Sequence, residues 1–202
     1  MSQKIDSSYI ADTIDYYNIN SDAYSKRTLV VDMQSTYDKF LPLLPKNASI
    51  LDAGCGSGRD SAYFKTCGYQ VIALDASIEM VKIAQVRINQ SVLHKQFSEI
   101  DFVNEFDAIW SCASLLHLTK QDLPNVFNKF IKAMKIGGYW FISFKYGNED
   151  TIEEGRLFSR FTSETFLKFI VDFKQLELIN ICQSTSGAAD VQWLQIILRR
   201  IQ

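Results

Sequence analysis

The chain has 202 residues, 47% of them hydrophobic and 22% charged, an ordinary globular composition that sets aside disordered and fibrous proteins and leaves room for one domain. Lysine and arginine number 21 against 23 aspartate and glutamate, a net charge of −2, so no global field draws the chain to nucleic acid or to an anionic membrane. Cys55, Cys67, Cys112 and Cys182 form no C-x-x-C pair, with only His94 and His117 to complete a metal site; reduced thiols and no metal are expected.

Residues 1–47 are polar and tyrosine-rich, with Tyr9, Tyr16, Tyr17, Tyr24 and Tyr37. The stretch 29–44 reads as an amphipathic helix ending at Pro45. Asp6, Asp12, Asp15 and Asp22 interrupt the start, and no apolar run approaches the roughly 20 residues of a membrane span, so a cytoplasmic location is the expectation.

From Ala48 short apolar runs alternate with helical stretches: a strand over 49–52, a helix over 59–66, a strand over 70–74, a helix over 77–89, strands over 93–96 and 106–111, a helix over 120–135, and a strand over 139–144 after Gly137-Gly138. Strict alternation implies right-handed crossovers and a parallel sheet covered on both faces. A helix over 162–173, capped by Thr162 or Ser163, is followed by strands over 176–182 and 192–199 joined through Gly187-Ala188-Ala189-Asp190. That connection is shorter than the dozen or so residues a parallel crossover needs, so this last pair must be antiparallel. The reading is a single doubly wound α/β domain spanning 1–202, with 48–202 as core and 1–47 as a helical lid.

The most informative stretch is Ile50-Leu51-Asp52-Ala53-Gly54-Cys55-Gly56-Ser57-Gly58-Arg59-Asp60. Three alternate glycines where the first strand meets the first core helix permit a tight turn and let a ligand approach main-chain amides. The dinucleotide fingerprint G-x-G-x-x-G would need glycine at position 59, where Arg59 stands. The spacing D-x-G-x-G-x-G instead resembles motif I of the Rossmann-like (class I) S-adenosylmethionine-dependent methyltransferases, with a leaning toward the small bacterial-type members. That resemblance implies a mostly parallel seven-stranded sheet in the order 3-2-1-4-5-7-6, and S-adenosylmethionine as cofactor with S-adenosylhomocysteine as product.

It also implies a set of site residues. Gly54, Cys55, Gly56 and Ser57 would face the amino-acid end and ribose, and Asp52 the ammonium. Asp75, closing Val71-Ile72-Ala73-Leu74-Asp75, would accept hydrogen bonds from the ribose hydroxyls, with Ala76, Ser77 and Met80 beside the adenine. Ser77 also suits the N-cap of the next helix. Phe97 and Ser98, in Lys95-Gln96-Phe97-Ser98, fall where the family holds the adenine amino group. The run Phe106 to His117 resembles motif IV, passing Ser111, Cys112 and Ala113 beside the cofactor. Lys135-Ile136-Gly137-Gly138-Tyr139 resembles the family's turn into the fifth strand, with Ile136 where proline is usual.

Methyl transfer from a sulfonium is an in-line displacement with a neutral leaving group, so alignment in a dry pocket matters more than acid–base chemistry. His117, just past the fourth strand, is the candidate base, or else a helix-entry histidine bonded to backbone. Lys145 would bind an acidic acceptor or else be solvated, and Tyr146 and Arg156 are further candidates for acceptor contact, Arg156 facing an anionic substrate. Tyr16 and Tyr24 would contact the sulfonium and close the pocket, or simply pack. Arg59 would reach the cofactor carboxylate or an acidic substrate, or else lie on the surface. A small-molecule acceptor is expected, with nucleic acid and membrane partners disfavoured. Two other functions fit the chain less well, a nicotinamide-dependent oxidoreductase and a non-catalytic S-adenosylmethionine-binding protein.

Overall fold

Strand β1 (Ser49–Ala53) buries four of its five residues, the mark of a strand covered on both faces rather than one. In the computed structural model, which describes residues 8–186 and 191–202, β1 pairs in parallel with β2 (Gln70–Asp75) on one side and β4 (Phe106–Ser111) on the other. With β3 (Leu93–His94), β5 (Met134–Tyr146), β9 (Leu176–Ser186) and β10 (Val191–Arg200), the sheet runs β3-β2-β1-β4-β5-β10-β9. This is the expected order. The β10 strand is antiparallel to both β5 and β9, and the two-residue β8 (Arg160–Phe161) adds an eighth strand beside the end of β5. The Gly187-Ala188-Ala189-Asp190 connection lies outside the described residues.

Helices α3 (Arg59–Thr66), α4 (Ile78–Ile88) and α5 (Leu123–Ala133) cross between the parallel strands. Helix α6 (Ser163–Ile170) begins where Thr162 and Thr165 cap each other, Thr165 N donating to Thr162 Oγ1 at 3.2 Å. Apolar side chains fill both sides of the sheet. Leu51, Ile109, Phe127, Phe130 and Trp140 make one cluster, while Tyr37, Phe40, Ile50, Phe64, Trp110 and Phe141 make the other. Trp110 stacks on Phe141 with ring centres 4.0 Å apart.

Three local expectations are corrected. The leader is not one helix over 29–44: α1 (Ser8–Leu29) ends first, and α2 (Gln34–Phe40) follows with a 3₁₀ turn at Leu41–Leu43. Val30 and Val31 lower helix propensity there, and Asp32 Oδ1 takes the Gln34 amide at 2.8 Å, restarting the helix. The fifth strand does not wait for Gly137-Gly138 but runs through them. Gly137 has φ +85° and the β4–β5 register shifts opposite it, so the pair forms a bulge. A side chain at Gly138 would sit 2.9 Å from the Lys135 carbonyl. The third strand stops at His94 because Gln96 opens a capped 3₁₀ turn, Phe97–Glu99. Beyond the fifth strand the chain adds a short hairpin not anticipated from the sequence, β6 (Thr151–Glu153) with β7 (Arg156–Phe158). Its turn is Glu154-Gly155, both residues at positive φ, which matches the right-handed strand twist.

One buried carboxylate joins four of these elements. Asp60, 6% exposed, accepts from Tyr37 OH of α2 at 2.6 Å, from Arg59 Nε at 2.6 Å and Nη2 at 3.0 Å, and from Trp110 Nε1 of β4 at 2.7 Å. Arg59 Nη1 in turn donates to the Thr28 carbonyl in the last turn of α1 at 3.2 Å. Replacing Asp60 with alanine strands three buried donor side chains together. The expected loss is about 3–5 kcal/mol in urea unfolding, with Asp60→Asn retaining part of it; a change below about 1 kcal/mol would show the hub to be dispensable.

Candidate active site

Helix α1 runs along β7 and α4 and roofs a cavity of about 400 Å³ at the carboxyl ends of the parallel strands. That is where ligands bind in open α/β sheets, and the volume falls in the roughly 300–1,000 Å³ range of small-molecule sites. The glycine loop forms one wall. Four of its amides bond within the protein: Gly54 N and Cys55 N both donate to the Leu74 carbonyl at 2.9 Å, Gly56 N donates to Asp75 Oδ2 at 2.8 Å, and Gly58 N to the Cys55 carbonyl at 2.9 Å. The loop therefore contributes shape. A side chain at Gly54 would lie 2.4 Å from Ser114 Cβ, whereas Gly56, at φ +53°, has open space where a Cβ would stand.

Asp75 organises the second wall. Its Oδ1 accepts from Ser77 N at 2.8 Å, so the carboxylate ties the end of β2 to the glycine loop and to the start of α4. Burial raises its pKa, opposed by these amide hydrogen bonds. Ser77 caps α4 through Met80 N at 3.2 Å and also donates to Asn18 Oδ1 on α1 at 2.8 Å. Gly54 through Ser57, Arg59, Asp75 through Ser77, Met80, Phe97, Ser98, Cys112, Ala113, His117 and Tyr24 all line the cavity. Ala113 holds φ +51°, an uncommon conformation for alanine, and its amide donates to Ser143 Oγ at 2.8 Å.

Six expected site residues lie elsewhere. Asp52 is 2% exposed and accepts from Ser61 Oγ at 2.6 Å beneath α3. Ser111 is fully buried and accepts from Trp140 Nε1 at 3.0 Å. Tyr16 donates to Glu154 Oε2 at 3.0 Å; it falls one residue, hence a quarter turn, off the face of α1 that carries Thr13, Tyr17 and Tyr24 to the cavity. Lys145 pairs with Glu153 at 2.7 Å and lies 3.5 Å over the Phe158 ring. Tyr146 packs against the core, and Arg160 Nη1 donates to its carbonyl at 3.4 Å. Arg156 pairs with Glu154 at 2.7 Å and stacks 4.0 Å over Tyr16.

His117 has both ring nitrogens engaged. Nδ1 lies 2.7 Å from the Leu157 carbonyl oxygen, which can only accept, so the proton sits on Nδ1. Nε2 then accepts from the Tyr17 hydroxyl at 2.8 Å. Burial lowers the pKa to about 4, and nearby Arg156 and Lys145 push the same way against the Leu157 bond. At neutral pH the ring is neutral, and the nitrogen a base would use is already bonded to Tyr17. Burial likewise raises the Tyr17 hydroxyl and pushes the Cys112 thiol up to about 12, so both keep their protons. Arg59 Nη2 and Ser143 Oγ each lie 3.9 Å from Cys112 Sγ.

Several wall residues escaped sequence reasoning: Tyr17, Asp60, Ser114, and a far group including Thr36, Trp193 and Gln195. Helical periodicity over Thr13, Tyr17 and Tyr24 carried the first. The others depend on how α2 and β10 pack.

Residues 50–138 match a family of methyltransferase domains. Over that stretch, a little under half of the chain, the protein resembles the methyltransferases. Over 111 residues the chain is 34% identical to the malonyl-[acyl-carrier protein] O-methyltransferase of Salmonella typhimurium, covering 52% of this chain and 43% of that protein. Over 107 residues it is 33% identical to phosphoethanolamine N-methyltransferase 1 of Zea mays, covering 50% and 21%. The chain thus spans less than half the length of either relative. Among solved structures, the 1,6-didemethyltoxoflavin-N1-methyltransferase of Burkholderia thailandensis, bound to 1,6-didemethyltoxoflavin and S-adenosylhomocysteine, superimposes with a TM-score of 0.81 over 100% of this chain and 94% of its own, at 19% identity. That likeness is one of fold. The matched methyltransferase domain contains the glycine loop, Asp75 and Phe97, while α1, α2 and β9–β10 fall outside it. Among the described residues no cluster of three His, Cys, Asp or Glu is placed to hold a metal, and no helix is long and apolar enough to cross a membrane.

Two buried groups set opposite pH dependences. His117 resists a proton that an unfolded histidine accepts near pH 6.5, so its contribution to stability is present above that value and is lost as pH falls toward about 4. Asp52, raised by burial and then by Asp60, holds a proton that an unfolded aspartate sheds near pH 3.9; its stabilising share therefore declines as pH rises from there toward neutrality and beyond. Urea midpoints measured across pH should flatten on the acid side in His117→Gln and on the neutral side in Asp52→Asn. Unaltered profiles in both variants would contradict these assignments.

Proposed function

We propose that this chain transfers a methyl group from S-adenosylmethionine to a small-molecule acceptor and releases S-adenosylhomocysteine. The observation that carries the reading is Asp75, held by the Gly56 and Ser77 amides on the wall of a cavity that Tyr17 and Tyr24 help enclose. The residues present fit the cofactor. The space open over Gly56 leaves the loop unobstructed, and a carboxylate beside it can accept from ribose hydroxyls. Met80 and Phe97 supply apolar surface for a purine, with Ala76 and Ser98 at its edges. Arg59, fixed by Asp60, lies toward the amino-acid end.

The bound sulfonium supplies an electrophilic methyl with a neutral thioether as leaving group. The chain's part is to align and to exclude water. Helix α1 is the proposed lid, with residues 1–202 acting as one unit. Tyr17 presents a neutral hydroxyl, and a proton leaving the acceptor would pass through that hydroxyl to His117 Nε2. Cys112, a protonated thiol, is no nucleophile here. The acceptors named for the two relatives differ from each other, so the reading takes its acceptor class from the cavity and keeps only the reaction type from them. A cytoplasmic location goes with that reading.

Calorimetry tests the proposal. S-adenosylmethionine and S-adenosylhomocysteine should bind and NADH should not; the reverse pattern would sink it. Asp75→Ala should weaken S-adenosylhomocysteine binding by about 1.5–3 kcal/mol, because a charged acceptor is lost. Unchanged affinity would place the ribose elsewhere.

A further inference from the structure

We propose that the far end of this cavity receives a neutral, flat, hydrogen-bonding acceptor, such as a heteroaromatic ring with an amide-like edge, and not a carboxylate or a phosphate. The inference rests on the methyltransferase reading and names the acceptor class for the same site.

The far end is assembled by strand register. On β10, Trp193 and Gln195 stand opposite Lys145 and Ser143 of β5, and Trp193 stands opposite Ser184 of β9. Alternation along a strand puts Phe141, Ser143, Trp193 and Gln195 on one face of the sheet. Helix α2 covers that face, and Gln195 Nε2 donates to Thr36 Oγ1 at 3.2 Å. Met33, Thr36, Phe141, Ser184, Trp193 and Gln195 all line the cavity there, meeting the cofactor wall where Arg59 Nη2 approaches Cys112 Sγ.

Charge decides what this end can hold. Among the described residues lining it the cation is Arg59, whose guanidinium is spent on Asp60 and the Thr28 carbonyl. The Asp60 carboxylate is in turn filled by Arg59, Tyr37 and Trp110, so the pair is neutral toward a guest, and the Asp32 carboxylate beside Met33, which takes the Gln34 amide, adds no positive charge. Lys145 lies on the same sheet face as Trp193, but Glu153 and the Phe158 ring hold its ammonium. An anion seated here would lose its hydration without gaining a counter-charge, a cost of several kcal/mol. The groups that remain favour another guest. Gln195 keeps one amide N–H and a carbonyl oxygen whose neighbour is the weak Cys182 Sγ donor at 3.9 Å, Ser184 adds a hydroxyl, and Trp193 and Met33 supply flat and polarisable apolar surface.

Trp193 also provides the readout. Trp110 and Trp140 are fully buried, so a ligand at the far end should alter the emission of Trp193. The protein is first saturated with S-adenosylhomocysteine, its binding being measured by calorimetry. It is then titrated with quinoline-4-carboxamide, with quinoline-4-carboxylate, and with the non-planar cyclohexanecarboxamide. The planar amide should quench emission and bind more tightly than the carboxylate by about tenfold or more, and more tightly than the cyclohexane analogue. In Trp193→Phe the quench should vanish while calorimetry still detects the amide, and Gln195→Leu should narrow the gap between the two quinolines. Equal or tighter binding of the carboxylate, a quench that persists in Trp193→Phe, or no binding of either quinoline would each overturn the inference. Absence of S-adenosylhomocysteine binding would overturn the methyltransferase reading instead, and the same titrations on the unliganded protein would still report on the far end.

Discussion

The cavity owes its form to a balance of buried charge around Asp60. An ionised carboxylate taken from water needs donors on every side, and Asp60 draws them from Tyr37, Arg59 and Trp110. Meeting that need fixes where α2 lies, how α3 begins and, through Arg59 and the Thr28 carbonyl, where α1 ends. It also spends the local cation. Asp52, within the field of Asp60, then has no counter-charge of its own, and burial with repulsion keeps its proton on. One carboxylate is shared among elements; its neighbour, raised by burial and by the first, serves Ser61. That the far cavity end offers a guest no uncommitted cation among the described residues is a consequence of the same allocation.

Asp75 plays the corresponding part inside the cavity. A glycine loop is permissive by nature and needs something to select one conformation. Here the Leu74 carbonyl and Asp75 carboxylate take three of its amides. The loop's conformation is thus fixed by the protein's own groups, which would lower the ordering cost of the binding proposed there.

How much of this was legible follows from where each constraint lies along the chain. The order of the sheet, the glycine turn between the first strand and the first core helix, and the place of Asp75 at the end of the second strand are written in local patterns of apolar runs, punctuation and spacing, and the structure has them there. Asp52 and Ser111 carry the right residue types at the right spacing, yet their side chains turn to Ser61 and Trp140, partners whose positions only the packed fold defines. Tyr16 and Tyr17 differ by one residue; choosing between them required the phase of a helix whose apolar signal is diluted by many polar residues. The break at Val30 to Met33 depends on Asp32 competing for the Gln34 amide, a contest that propensity alone does not settle. Trp193 and Gln195 share a strand face by simple alternation, but that α2 roofs that face is a tertiary fact.

The same distinction bears on how the cavity opens. The sheet is held by deep apolar clusters on both faces, whereas α1 is fastened mainly by side-chain hydrogen bonds: Leu157 N to Thr13 Oγ1, Tyr16 to Glu154, Tyr17 to His117 and Ser77 to Asn18. Each such bond is worth only about 0.5–1.5 kcal/mol net, since water replaces it when it breaks. Ile10 adds a modest apolar contact with the core. Lifting α1 therefore costs far less than disturbing the strands that carry Asp75 and Cys112. If α1 is the proposed lid, that inequality is what it needs, and polar fastening over a rigid apolar sheet provides it. Because the fastening of Tyr17 runs through His117, whose free nitrogen accepts only while the ring is neutral, the strength of the closure and the proton state of the site are set by one group.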